Sequence, residues 1–387
     1  MNQTFISKTI ALLLTCRVVI DIVFSNQKPQ LLVALYTVSI LAMSAYLILR
    51  SNITAGRSNT ITIFLLMSAT LASYLNSDVE FTEHINFSLQ VLTPIIFLLA
   101  CSGNKSTLVK TGHFFKAYIA APALILIFIF SFLDYKQNNL GQSFFDYYAN
   151  KPNHALAQTG LKISLLFLES TPFLIAGFVL LGLLNVRSTI LALTFSIAIF
   201  HKTGLLKKRQ LLKIFIFIII ATIIILSFVD INQVLERAVF KNRTSGNSED
   251  LDNLSSGRSG IYAYYANYLF DKFNFIDWII GRGPIWLDPK EFHLSAHNDF
   301  LNLLVSYGIL GFTLISYSYY KFFSSLPSRV RPAATICFIT LFLVNGVIFH
   351  QSTILFCLLY IYVQHPKSKD SGSQMLRKKT LIDNNPS

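Results

Sequence analysis

Residues 295–312 read SAHNDFLNLLVSYGILGF, and the character of the whole chain turns on them. Polar residues open the stretch, among them His297, Asn298 and Asp299. It then passes without a break into an apolar, helix-forming run that predicts a membrane span. A histidine at that junction sits where water meets lipid. Membrane proteins place chemistry at this depth, because a charge nearer the bilayer centre costs about 3 kcal/mol or more. The plain alternative is a polar cap on a transmembrane helix. Two upstream features weigh against leaving it there: the GRGP turn at 281–284 and the SSGR segment at 255–258.

Working outward, composition sets the class. The 387 residues are 53% hydrophobic and 13% charged, with a mean hydropathy of +0.53. A soluble domain carries about 25% charged residues, so the chain reads as an all-α integral membrane protein that crosses the bilayer many times. The formal net charge is +13. In a soluble protein that would point to nucleic acid. Here the cations fall in loops between apolar runs, where membrane lipids and topology account for them, and no nucleic-acid partner is expected. Cys16, Cys101, Cys337 and Cys357 all lie within or at the ends of apolar runs and form no metal-binding spacing. Neither a disulfide, a metal nor a cofactor is expected. The first apolar run lacks a small-residue cleavage site and reads as a retained span.

A span needs roughly 17–25 residues. Candidates fall at 5–24, 31–49, 60–75, 87–101 and 114–133. Arg17 and Asp21 lie one turn apart on one face of the first, which predicts an ion pair turned into the bundle. Asp78, Glu80, Glu83 and His84 form a short polar loop before the fourth, and KPNHALA at 151–157 caps a later helix. The stretch 155–186 reads either as one span or as two short ones broken at Glu169-Ser170-Thr171-Pro172. Proline removes a donor and disfavours helix in the residue before it. Charge bias decides. Lys202, Lys207, Lys208, Arg209 and Lys213 form the most basic short loop, which belongs inside. Only the two-span reading also puts Arg50, Arg57, Lys105 and Lys110 inside. Spans at 188–201, 213–229, 299–320, 333–349 and 351–363 complete about twelve, with both termini inside. The chain divides into a transmembrane bundle at 1–229, one long outer loop at 230–296, closing helices at 297–363 and a basic, disordered tail at 364–387.

The long loop holds most of the polar residues that could carry chemistry. Residues 241–259 are rich in Ser, Asn, Gly and charge. Residues 260–280 are amphipathic, with Tyr262, Tyr265 and Tyr268 at helical spacing, and predict one helix lying at the interface. Arginine carries a planar fork of donors matched to phosphate oxygens. Arg258, Arg282 between its two glycines, and Arg187 at the outer end of its span are the candidates; headgroup anchoring or pairing with loop acids is the alternative for each. Asp250 and Asp252 mimic a DxD metal motif but read as a solvated acidic patch.

The HND and GILGF elements, with the preceding GxG and SGR, resemble the O-antigen ligase/polymerase family of bacterial inner membranes. The specific part, 255–312, is about a seventh of the chain, with weaker echoes at 151–157 and in VRSTILAL at 186–193. The resemblance implies glycan transfer from an undecaprenyl-pyrophosphate carrier to a sugar hydroxyl at the periplasmic face, with a chain-length regulator and a flippase as companion proteins. In that chemistry the leaving pyrophosphate needs its growing charge neutralised, the implied role of Arg187, Arg258 and Arg282. The acceptor hydroxyl needs a base, the implied role of His297, with Asn298 and Asp299 orienting its ring or binding sugar hydroxyls. A polymerase of O-antigen or capsule comes first, with an acceptor glycan. A ligase acting on lipid A-core is second. A flippase or transporter without covalent chemistry is the remote third, disfavoured because no broken helices in matched halves are evident.

Overall fold

A computed structural model of the chain describes residues 3–24, 30–51, 53–118, 120–138, 147, 154–166, 170–184, 187–202, 206, 208–216, 258–284, 298–326, 328 and 331–344. Among these the regular structure is helix, with no strand. In chain order the helices are α1 (Gln3–Val23), α2 (Gln30–Arg50), α3 (Ile53–Leu75), α4 (Phe81–Ser102), α5 (Lys105–Tyr118), α6 (Ala120–Asn138), α7 (His154–Leu166), α8 (Thr171–Leu183) and α9 (Arg187–Lys202). After a helical segment at 208–216 come α10 (Arg258–Lys272), α11 (Phe275–Ile280), α12 (Asp299–Ser324) and α13 (Arg331–Val344). Four helical segments among the described residues are long and apolar enough to cross a membrane: Gln30–Arg50, Gly56–Leu75, Phe81–Ser102 and Asp299–Ser324. Their outward faces keep large apolar side chains exposed, Phe64 and Leu49 among them, as lipid-facing helices do. The buried core instead runs along α1, α4 and the facing sides of their neighbours.

The first helix carries the expected buried ion pair. Arg17 Nε lies 3.2 Å from Asp21, and both side chains are almost wholly buried. The guanidinium also sits 5.3 Å from the centre of the Tyr36 ring on α2. Pairing and ring contact together lower the cost of burying the charge.

The described residues within 155–186 form two helices on either side of the break expected at Glu169–Pro172. Ser170 caps α8 in extended backbone, and Pro172 occupies its first turn, where a missing N–H costs nothing. Gly160 of α7 faces Leu180 and Leu181, while Gly177 of α8 faces Ser164, so the two helices run antiparallel as a hairpin. Each has 13 residues. At 1.5 Å per residue that is about 20 Å, short of the roughly 30 Å hydrocarbon core.

Two expectations change, while the expected span at 114–133 falls on α5 and α6, on either side of residue 119, which lies outside the described residues. Residues 260–280, expected as one interfacial helix, divide into α10 and α11, because Asn274 takes an extended conformation and starts a new helix. Residues 299–320, expected as a plain span, contain a sharp break at Gly308 (φ 61°, ψ −169°). The Phe300 and Phe312 rings lie 5.0 Å apart. In a straight helix twelve residues separate two positions by about 18 Å. The first arm, 299–307, therefore folds back towards the second, 309–324.

The molecule has two chemically distinct ends. At one, Asn104 donates to the Leu47 carbonyl, Asn59 to that of Leu99 and Lys321 to Ser58, while Lys110 reaches Gln3. Arg50, Arg57, Lys110, Lys321 and Arg331 gather here. At the other end lie the top of α3, the start of α4 and α11, with Asp78, Glu80, Glu83 and Asp277.

Candidate functional site

The site is built where α11 meets the break in α12. Helix α11 has only six residues, too few to persist alone. Its ends hold it. Asn274 accepts from Ile276 and Asp277 backbone N–H groups, and Asp277 accepts in return from the Asn274 N–H at 2.9 Å. This reciprocal capping box satisfies two otherwise orphaned donors and places a carboxylate where the helix dipole favours it. Asp277 is buried. Its second oxygen accepts from Asn76 Nδ2 at 2.8 Å, and the same nitrogen donates to the Gly281 carbonyl at 2.8 Å. Asn76, at the top of α3, thus ties the start and the end of α11 together.

The GRGP turn then docks on α12. The Arg282 N–H donates to the Val305 carbonyl at 3.0 Å and the Gly283 N–H to that of Ser306 at 3.1 Å. Ser73 Oγ of α3 donates to the Ser306 carbonyl as well. A break inside a membrane helix leaves carbonyls without their usual i+4 partners, and in lipid each unsatisfied group costs several kcal/mol. Here the turn and the Ser73 hydroxyl supply the missing donors. The approach is close enough to require glycine. Gly281 has φ 79° and ψ 174°, a region open essentially to glycine alone, and a Cβ there would run into the Ser306 carbonyl. At Gly308 a Cβ would meet the Ile279 carbonyl.

Of the expected site residues, Arg282 is the best defined. Its Nη2 donates to Asp78 at 2.9 Å, and its Nε lies 3.9 Å from Asp277. Asp78 is 88% exposed. An exposed pair of this kind is worth about 0–1 kcal/mol, whereas the Asp277 carboxylate on the other side of the guanidinium is buried. Arg282 also lies near Tyr268 on α10; burial pushes that phenol above its ordinary pKa, and the cation works against the shift. Asn298 caps α12: its side-chain oxygen accepts from Phe300 and Leu301 N–H at 3.0 and 3.4 Å. Asp299, in the first helical turn, is fully buried. Arg258 and Arg187 are the first residues of α10 and α9. Their side chains, His297 as a whole, and Asp250 and Asp252 lie outside the described residues. The structure therefore brings the Arg282 turn and the arm beginning at Asn298–Asp299 into one unit, with α10 packed on that arm through Tyr265, Leu269 and Val305.

Sequence reasoning missed Asn76, Ser73 and Asp277. The Asn274-x-x-Asp277 spacing is a capping-box signal that was there to be read. It also left His84 in a loop. His84 is buried on α4, its Nε2 3.2 Å from the Thr70 carbonyl, and a Cβ at Gly283 would lie 3.2 Å from its Nδ1. Among the described residues no cluster of His, Cys, Asp and Glu could hold a metal ion. No known protein family, curated protein or solved structure matches the chain.

Proposed function

We propose that the chain is a polysaccharide polymerase of the O-antigen or capsule type, transferring undecaprenyl-pyrophosphate-linked glycan to a sugar hydroxyl at the periplasmic face of the bacterial inner membrane. The observation that carries this reading is the Arg282 turn. It holds a guanidinium in an exposed pair with Asp78, on a backbone fastened to the same helix that begins with Asn298 and Asp299. A phosphate-matched fork beside the helix that follows His297 is what pyrophosphate departure and hydroxyl deprotonation need in common. In this reading Arg187 and Arg258 complete the anion site, His297 takes the acceptor proton, and Asn298, already committed as a cap, positions the backbone rather than the sugar. The basic end faces the cytoplasm by the positive-inside rule, which puts Asp78 and the Arg282 turn on the periplasmic side. About twelve spans, including the regions outside the described residues, complete the topology.

Ligation of finished glycan to lipid A-core uses the same groups and is the alternative. The break at Gly308 and the short α7–α8 hairpin also favour a second class, a flippase or transporter, because discontinuous helices are how such proteins build midplane sites. One comparison separates the three. Cell-surface glycan from a strain lacking the gene is resolved on a gel beside a strain carrying His297→Ala. Core bearing a single repeat unit in both identifies the polymerase. Bare core with long glycan left on the carrier identifies the ligase. A deletion defect that His297→Ala fully complements removes histidine-based transfer and leaves transport.

A further inference from the structure

A groove of about 480 Å³ lies between the second arm of α12 and α13, far from the Arg282 turn. Its walls are largely apolar, with Ile315, Phe323, Phe338 and Phe342 among them; no described lining residue is a carboxylate, and buried Asp299 lies behind the wall near Tyr319. Arg331 and Ser324 stand at one end, in the basic end of the bundle. On α12 the lining runs from Ser324 back to Ile315, and on α13 from Arg331 to Phe342. At 1.5 Å per residue those are about 14 and 16 Å. Half of a hydrocarbon core of roughly 30 Å is about 15 Å. The groove is thus about as long as one leaflet is deep, with a cation at one end.

One polar detail fits an anionic occupant. Arg331 is exposed, and among the described residues its hydrogen bonds, to the Ser324 and Leu326 carbonyls at 2.9 and 3.0 Å, use Nη2 alone.

We propose that this groove holds one acyl chain of an anionic phospholipid from the leaflet at the basic end, with Arg331 on the phosphate. The site does not rest on the glycan-transfer reading and holds for a transporter equally. Native mass spectrometry of the purified full-length chain, titrated separately with dioleoyl phosphatidylglycerol and dioleoyl phosphatidylcholine, tests it. Phosphatidylglycerol is expected to be retained in preference to phosphatidylcholine. Arg331→Gln is expected to weaken its retention about five-fold, the effect of one cation at an anionic surface. Thr335→Trp, which fills the groove, is expected to remove both lipids, whereas Arg50→Gln, at the same end but outside the groove, changes neither. Arg331→Lys keeps the charge and is expected to keep the preference, which separates lipid binding from any folding defect of Arg331→Gln. Equal retention of the two lipids by the native chain, or unchanged phosphatidylglycerol retention in Thr335→Trp, overturns the assignment.

Discussion

At the scale of single residues, the site depends on groups that carry no charge. Gly281 sits in backbone that other residues avoid, at a cost of about 1–3 kcal/mol, with the Ser306 carbonyl in the space of a side chain. Gly281→Ala is therefore expected to lower the thermal unfolding midpoint by several degrees or prevent accumulation, read by fluorescence-detected size exclusion after heating. Asn76→Ala leaves one oxygen of buried Asp277 and the Gly281 carbonyl without a donor. An unsatisfied buried group costs about 1–3 kcal/mol, so the same assay is expected to show a comparable loss, and Asn76→Asp a larger one, because two carboxylates then face each other. Little of this was legible in advance. The sequence displays the two glycines and the arginine of GRGP plainly. That Asn76 is their partner, some two hundred positions earlier in the chain, is a tertiary fact with no local signal.

At the scale of elements, periodicity and charge read the helices well and read their interruptions poorly. The division at Ser170–Pro172 was visible because proline acts on its own neighbours. The break at Gly308 was not, because an apolar run of helical length looks the same whether or not it bends, and one glycine inside it is only a weak warning. The elbow is directly testable. In a chain freed of its native cysteines, thiols introduced by Phe300→Cys and Phe312→Cys are expected to be joined by a short bifunctional thiol reagent. A straight helix would hold them about 18 Å apart and leave them unlinked. The α7–α8 hairpin has its own test. Gly177 packs directly against Ser164, whereas Gly182 has open space where its side chain would be. Gly177→Leu is expected to destabilise the protein markedly. Gly182→Ala is expected to be neutral or to stabilise by up to about 1 kcal/mol, as alanine does in a helix.

At the scale of the whole molecule, the loops carrying Arg50, Arg57 and Lys110 were expected on one side, and the contacts joining Asn104, Ser58 and Gln3 gather those cations with Lys321 at one end. In intact cells, Asp78→Cys in a cysteine-free background is expected to react with a membrane-impermeant maleimide, and Arg50→Cys only after the membrane is opened. The reverse pattern would invert the protein. The docking of the GRGP turn on α12 also bears on how such a chain is made. Residues 281–283 leave the ribosome 25 or so positions ahead of Gly308, and Ser73 far earlier. The groups that will receive the bend are synthesised before the bend itself. The 299–324 segment can be handed to the bilayer as an ordinary straight span and fold back only when Ser73 and the two turn amides are in place to accept it. The order of synthesis thus lets the segment be threaded first and bent afterwards, so the elbow is set by the tertiary partners that wait for it.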